Sequence, residues 1–239
     1  MKIYLNCTAN LGDFVNSLPV LSGLKQKYGL LDFTIRHEMK KFNGVKDFLM
    51  YQGLFSNIEF DDEVAQQDRP IILSSWTRED QNNPVRPIET CRYENWLIDN
   101  YGLKFEVDDA FYLQVRDCDV TIEDTIYGGD RWAGPDIDQR RQSWTLQHLD
   151  GIRFLDYNND LMTNAYIIKH CQDPFVSTFT GISGIADLLG KNQFVLWGSD
   201  IEYWDNRPIS YSFRKHYYSD RNSQLLSIKE FEKIIYGNN

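Results

Sequence analysis

Residues 175–200, FVSTFTGISGIADLLGKNQFVLWGSD, set a short apolar run, a glycine turn, a helix-period segment and a second apolar run end to end. Phe175–Phe179 reads as a buried strand and Thr180-Gly181 as the turn, after which Ile182, Ile185, Ala186 and Leu189 recur at helical spacing. Gly190-Lys191-Asn192 stops the helix, and Phe194–Trp197 forms the next strand, closed by Gly198. A helix that opens at such a turn aims unpaired backbone N–H groups and its positive dipole end at one spot, which suits a phosphate. Gly181 and Gly184 keep side chains out of an anion's way. The same pattern also serves an ordinary strand–turn–helix unit with no ligand.

The rest of the chain repeats this grammar. Lys2–Cys7 reads as a strand, Thr8–Asp13 as a loop, and Phe14–Tyr28 as an amphipathic helix carrying Leu18, Leu21 and Leu24. Pro19 either starts that helix or kinks it, and Gly29 closes it. Strands at Phe33–Arg36, Ile58–Phe60 and Ile71–Leu73 follow, with a helix at Lys40–Tyr51 between the first two. In such parallel sheets ligands bind beyond the carboxyl ends of the strands, where Asn10, Gly12, Asp13, Ser74 and Trp76 fall. A helix over Ile88–Tyr101 leads to a mixed, acidic stretch at 105–117, read as the crossing between domains 1–112 and 113–239. The second half predicts a strand at Val120–Ile126, a loop at Tyr127–Trp132 and a helix at Ile137–Leu149. A strand at Ile152–Leu155 and a helix at Leu161–His170 follow. Ser227 and Glu230 form a capping box that starts a last helix, with Phe231, Ile234 and Ile235 on its inner face.

Composition narrows the function classes. A chain of 239 residues that is 42% hydrophobic and 25% charged can bury a core, and its net charge of −10 disfavours a broad footprint on nucleic-acid phosphates. Cys7, Cys91, Cys118 and Cys171 lie far apart, as reduced core thiols of a cytoplasmic protein do, and neither a signal peptide nor a transmembrane segment is expected. The Tyr127–Trp132 loop lacks the Lys-Ser/Thr of a P-loop, and no Gly-x-Ser-x-Gly elbow or histidine cluster occurs. Asp61-Asp62 and Asp108-Asp109 read as solvated turns, so no metal is expected.

Two motifs carry a resemblance. Residues 5–29 set Leu11, Gly12 and Asp13 in the loop after the first strand and Leu18-Pro19 in the helix that follows. Thr180, Gly181, Leu189, Gly190, Trp197 and Gly198 recur in order in the segment described first. Together they resemble the lipopolysaccharide heptosyltransferase-like glycosyltransferases (glycosyltransferase family 9), in a compact and divergent form. The second motif departs from the family at two places, where its aspartate is Phe179 and its histidine is Gly184.

The resemblance implies an α/β fold of GT-B architecture, reduced in size, with two Rossmann-like domains facing across a cleft. It implies a metal-independent, inverting transfer of a hexosyl, heptosyl or pentosyl group from a nucleotide-diphosphate sugar to an acceptor hydroxyl, with no other cofactor. The donor diphosphate would lie at Thr180, Gly181 and Ile182 with Arg131, or failing it Arg140 or Arg141, as the neutralising cation. Trp197, Gly198 and Ser199 would approach the nucleotide and sugar, and Asn10, Gly12, Ser74 and Trp76 the acceptor. Asp13 is the candidate general base, looking across the gap at position 180; its alternative role is an N-cap. An Asn/Asp/Tyr-rich composition has a bacteriophage flavour. The stretch Tyr203–Tyr218, with Arg207, Arg214 and Lys215, keeps a hydroxymethylated DNA base in play as acceptor, in a host cytoplasm. A nucleotide or sugar-phosphate binding module without catalysis is the reading from another class, prompted by Phe179 and Gly184.

Overall fold

The computed structural model describes residues 1–6, 11–63, 70–74, 88–129, 149–178, 181–197 and 223–237. Among them are two wholly parallel sheets with helices packed on them. The first sheet holds β1 (Lys2–Asn6), β2 (Leu31–Ile35), β3 (Phe55–Phe60) and β4 (Ile71–Ser74) in the order β3-β2-β1-β4. The second holds β5 (Ile126–Gly129), β6 (Ile152–Phe154), β7 (Gln172–Thr178), β8 (Gln193–Trp197) and β9 (Ser223–Ser227) in the order β6-β5-β7-β8-β9. The helices are α1 (Leu11–Tyr28), α2 (Val45–Tyr51), α3 (Ile88–Tyr101), α4 (Leu161–His170), α5 (Gly181–Leu188) and α6 (Ile228–Tyr236). The parallel α/β class expected from the sequence is the one observed.

Several boundaries differ, each for a physical reason. The first helix opens at Leu11 rather than Phe14, so Pro19 is an interior residue. Thr90 Oγ1 donates to the Asn16 carbonyl at 2.7 Å, and the Pro19 carbonyl accepts from Asp108 N–H at 3.1 Å, so groups outside the helix bond to its backbone on both sides of the proline. The single helix expected over Lys40–Tyr51 is a 3₁₀ turn at His37–Lys41 followed by α2, divided at Gly44, whose φ of +71° favours glycine. No strand covers residues 120–125; β5 begins at Ile126 and takes in Tyr127–Gly129, which the sequence placed in a loop. Glycines stand there because both faces of the strand are crowded. A Cβ on Gly128 would lie 2.6 Å from Ile152 Cγ2, and one on Gly129 would lie 2.4 Å from Ile182 Cγ2. β9, short and partly polar, has no counterpart in the sequence reading. The helix expected at Ile137–Leu149 lies outside the described residues except for its last position.

The free edge of β4 is covered by α3. Trp96 Nε1 donates to the Ile72 carbonyl at 2.6 Å and the Ile72 N–H donates to Tyr101 Oη at 3.0 Å, so the outward backbone groups of Ile72 are satisfied. The capping box of α6 is present, with Glu230 N–H donating to Ser227 Oγ at 3.2 Å and Ser227 N–H to Glu230 Oε2 at 2.7 Å.

The two sheets share a hydrophobic core. Leu11, Phe14 and Val15 of α1 belong to the same buried cluster as Ile182 and Ile185 of α5, and Val45 and Leu49 of α2 to the same cluster as Leu161 and Met162 of α4. The Leu161 N–H donates to the Asn43 carbonyl at 2.8 Å, joining the two halves by backbone. Residues 102–125, which include the stretch 105–117 expected as the domain crossing, form an irregular strap across both. Ser22 Oγ and Gln26 Nε2 hold the Asp108 carboxylate at 2.6 and 2.9 Å, and Leu113 N–H donates to the Leu188 carbonyl at 2.8 Å. Gln114 N–H donates to Gln52 Oε1 at 2.8 Å while Gln52 Nε2 returns a bond to the Gln114 carbonyl at 3.0 Å.

Candidate functional site

Both sheets deliver a helix start to the same place. The central strand β1 ends at Asn6 and α1 opens at Leu11; the central strand β7 ends at Thr178 and α5 opens at Gly181. A Cβ on Gly181 would stand 2.6 Å from the Gly12 nitrogen and 2.7 Å from Leu11 Cβ, so the two starts are in van der Waals contact. One turn further on, a Cβ on Gly184 would lie 3.2 Å from Val15 Cγ1. The pairing of 12 with 181 and of 15 with 184 means that the helices run in the same direction side by side. Their amino ends therefore open on one region.

Each helix start carries about half a positive charge from its aligned peptide dipoles. Two such ends side by side repel one another, and an anion placed over them relieves both interactions. Asp13 is the third residue of α1, inside the first turn, where a carboxylate is favoured by the dipole. It is not the N-cap, which corrects that alternative; its side chain lies outside the described residues. At Gly12 and Gly181, the described neighbours of the two positions expected to face one another, backbone meets backbone; the Asp13 carboxylate and residue 180 themselves lie outside the described residues.

The remaining sequence candidates divide cleanly. Ile182 is wholly buried beneath β5, so only its backbone faces other chemistry. Ser74 is buried at the carboxyl end of β4, in register with Asn6. Trp197 is the last residue of β8, and its side chain lies outside the described residues. Asn10, Trp76, Arg131, Arg140, Arg141, Phe179, Thr180, Gly198, Ser199 and the basic-aromatic stretch Tyr203–Tyr218 also lie outside them.

Sequence reasoning missed a polar ladder beneath the site. Ser177 Oγ donates to Gln193 Oε1 at 3.1 Å, and Gln193 Nε2 donates to the Ser183 carbonyl at 3.0 Å, tying β7, β8 and α5 together inside the core. Its neighbour Thr178 is 4% exposed, and Thr178 Oγ1 has no hydrogen-bond partner among the described residues. Both residues sat inside what read as an apolar run, so only their hydroxyls gave a signal.

A cavity of about 400 Å³ opens at the opposite, amino end of β7 and β8, lined by Lys169, Cys171, Asp173 and Lys191 among others. It is structural. The buried Lys191 ammonium is held by the Cys171 carbonyl and the Asp173 carboxylate, each at 2.5 Å. Burial pushes the Cys171 thiol up, opposite to what a reactive thiolate needs. Burial alone would raise the Asp173 carboxyl, but hydrogen bonds from Lys191 and Asn192 hold it below its usual range. No three His, Cys, Asp or Glu side chains among the described residues gather as a metal would require, and no described helix is long and apolar enough to cross a membrane.

Helix starts gathered at the carboxyl ends of two parallel sheets define an α/β protein of the Rossmann-like kind. The particular likeness is to glycosyltransferase structures. The fold matches the glycosyl transferase family 9 protein of Veillonella parvula with a TM-score of 0.57 and 12% identity, over 98% of this chain and 87% of that one. It matches the E. coli heptosyltransferase WaaC, solved with ADP, with a TM-score of 0.54 and 10% identity over 95% and 93% of the two chains. For E. coli ADP-heptose lipopolysaccharide heptosyltransferase II the values are 0.51 and 12%, over 95% and 90%. Coverage this high means that the likeness extends through both sheets, while identity this low makes it a likeness of fold. No family model and no curated protein sequence matches the chain.

Proposed function

We propose that the protein is a glycosyltransferase, moving a sugar from a nucleotide-diphosphate sugar to the hydroxyl of a saccharide acceptor with inversion and without a metal ion. The observation that carries this reading is the pair of parallel helix starts at Gly12 and Gly181, with Asp13 in the first turn of one of them. The shared fold with the family 9 structures supports the class, and one of those structures was solved with a nucleoside diphosphate. On this reading the diphosphate lies over the two starts rather than between them. The backbone at Gly181 and Ile182, the Thr180 hydroxyl and the Arg131 guanidinium hold it. Asp13 takes the proton from the acceptor hydroxyl as its oxygen bonds to the anomeric carbon, and the bond from that carbon to the diphosphate breaks on the opposite side. Trp197, Gly198 and Ser199 border the nucleotide and sugar; Asn10, Gly12, Ser74 and Trp76 border the acceptor.

A binding module that has lost catalysis is the second reading, favoured by Gly184. A side chain at that position, where the family has its histidine, would press on Val15, whose Cγ1 lies 3.2 Å from the place of a Cβ. One experiment separates the two. The protein is incubated with a panel of UDP-, GDP- and ADP-sugars, and nucleoside diphosphate release is followed. The enzyme reading expects slow release by the native chain and roughly 10²–10⁴-fold less by Asp13→Asn, with donor affinity nearly unchanged. Undiminished release by that variant removes Asp13 from its role. Thermal stabilisation by a nucleotide with no release from any sugar selects the binding module.

A further inference from the structure

The first turn of α5 is seated by contacts of two kinds. Gly181 lies against the backbone of Gly12, and Ile182 sits over Gly129, where a Cβ would be 2.4 Å from the Ile182 Cγ2. Ile182, Ile185 and Ala186 pack with Phe175 of β7 in one buried cluster. Apolar contacts of this sort press the helix onto the sheet, but they are non-directional and hold it weakly against sliding along its own axis. The other kind of contact is the Gln193 side chain. It accepts from Ser177 Oγ at 3.1 Å through Oε1 and donates through Nε2 to the carbonyl of Ser183, the third residue of α5, at 3.0 Å.

The helix does not need this bond to satisfy its backbone, because a carbonyl in the first turn of an α-helix already accepts the N–H four residues on. Stability does not call for it either. Ser177 is wholly buried and Gln193 is 2% exposed, and replacing both members of such a pair by apolar groups of similar shape is nearly neutral. What a buried polar pair adds is one defined arrangement of the elements it joins, since an N–H···O bond tolerates only about half an ångström in length. Helix carbonyls point toward the carboxyl end, and Gln193 is the first residue of β8, at the amino edge of the sheet. The bond therefore draws α5 along its axis, away from the edge on which its free N–H groups open.

We infer that Gln193, anchored by Ser177, is a positioning residue that sets how far the first turn of α5 projects toward the donor diphosphate. With the turn held at that height, the backbone at Gly181 and Ile182 meets the diphosphate together with the start of α1. The inference rests on the glycosyltransferase reading of the site and gives Gln193 no contact with the ligand.

The test compares the native chain with the double variant Ser177→Ala/Gln193→Met, which removes the ladder and leaves no side-chain partner stranded. Both are melted, and both are titrated calorimetrically with ADP, GDP and UDP and with the corresponding monophosphates. The double variant should melt within roughly 5 °C of the native chain. Its preference for the diphosphate over the monophosphate should fall roughly 5–30-fold, a change that a merely structural ladder would not produce. An unchanged preference, whether or not both affinities drop, overturns the inference and leaves the enzyme reading standing. A larger fall in melting temperature makes the ladder a stability device and also overturns it. A native chain that binds none of the diphosphates, or binds them no better than the monophosphates, overturns both.

Discussion

Gly12 and Gly181 sit on two sides of one contact but tolerate change very differently. A methyl group on Gly181 would press on the Gly12 nitrogen and the Leu11 carbonyl carbon at 2.6 and 2.8 Å, which are backbone atoms that cannot step aside. Gly181→Ala is therefore predicted to cost about 2–4 kcal/mol in urea unfolding, as an overpacked core position does. A methyl group on Gly12 meets the Gly181 nitrogen at an ordinary 3.5 Å. Gly12→Ala should change stability by less than about 1 kcal/mol, because the helix gains propensity at that position. Equal losses in the two variants would refute the contact. The glycines of the 175–200 segment were legible as residues kept small for a reason. What the sequence hid is that Gly181 and Gly184 make room for a helix. Thr178 was hidden more completely, since alternation marks which face a residue takes and says nothing about whether its hydroxyl is answered.

At the scale of elements, long periodic segments were readable to the residue: α3 and α4 coincide with the helices expected at Ile88–Tyr101 and Leu161–His170. The strap was not. Val115, Cys118, Val120 and Ile122 pack on the core from an irregular path, and their spacing imitates a strand. Gly128 and Gly129 imitate a turn, because crowding by neighbouring side chains leaves no mark in the local sequence. Gly23 shows how firmly the strap is seated. It is an interior helix position where alanine would ordinarily gain about 1 kcal/mol. A Cβ there would stand 1.9 Å from the Glu106 carbonyl oxygen. Steric exclusion outweighs propensity, so Gly23→Ala is predicted to lose about 2–4 kcal/mol in the same unfolding assay. A stabilised variant would show that the strap does not lie against α1.

For the whole molecule, the expectation was of two lobes separated by a cleft, and the parallel α/β class of both sheets followed from the alternation of strands and helices. The shared core did not follow, since nothing local in α1 announces that Val15 will meet Gly184. With α1, α2, α4 and α5 in one cluster and the strap bonded to both halves, the protein should unfold in one calorimetric transition with matching calorimetric and van't Hoff enthalpies. Two resolved transitions would mean that the halves fold independently. The meeting of residues 12 and 181 also bears on how the chain can be handled. The paired start at residues 12 and 181 takes one helix end from each sheet, so a fragment cut along the strap keeps only one of the two charged ends and bares the apolar flank that met the other. The paired helix starts therefore exist only in a chain whose two sheets have both formed and met.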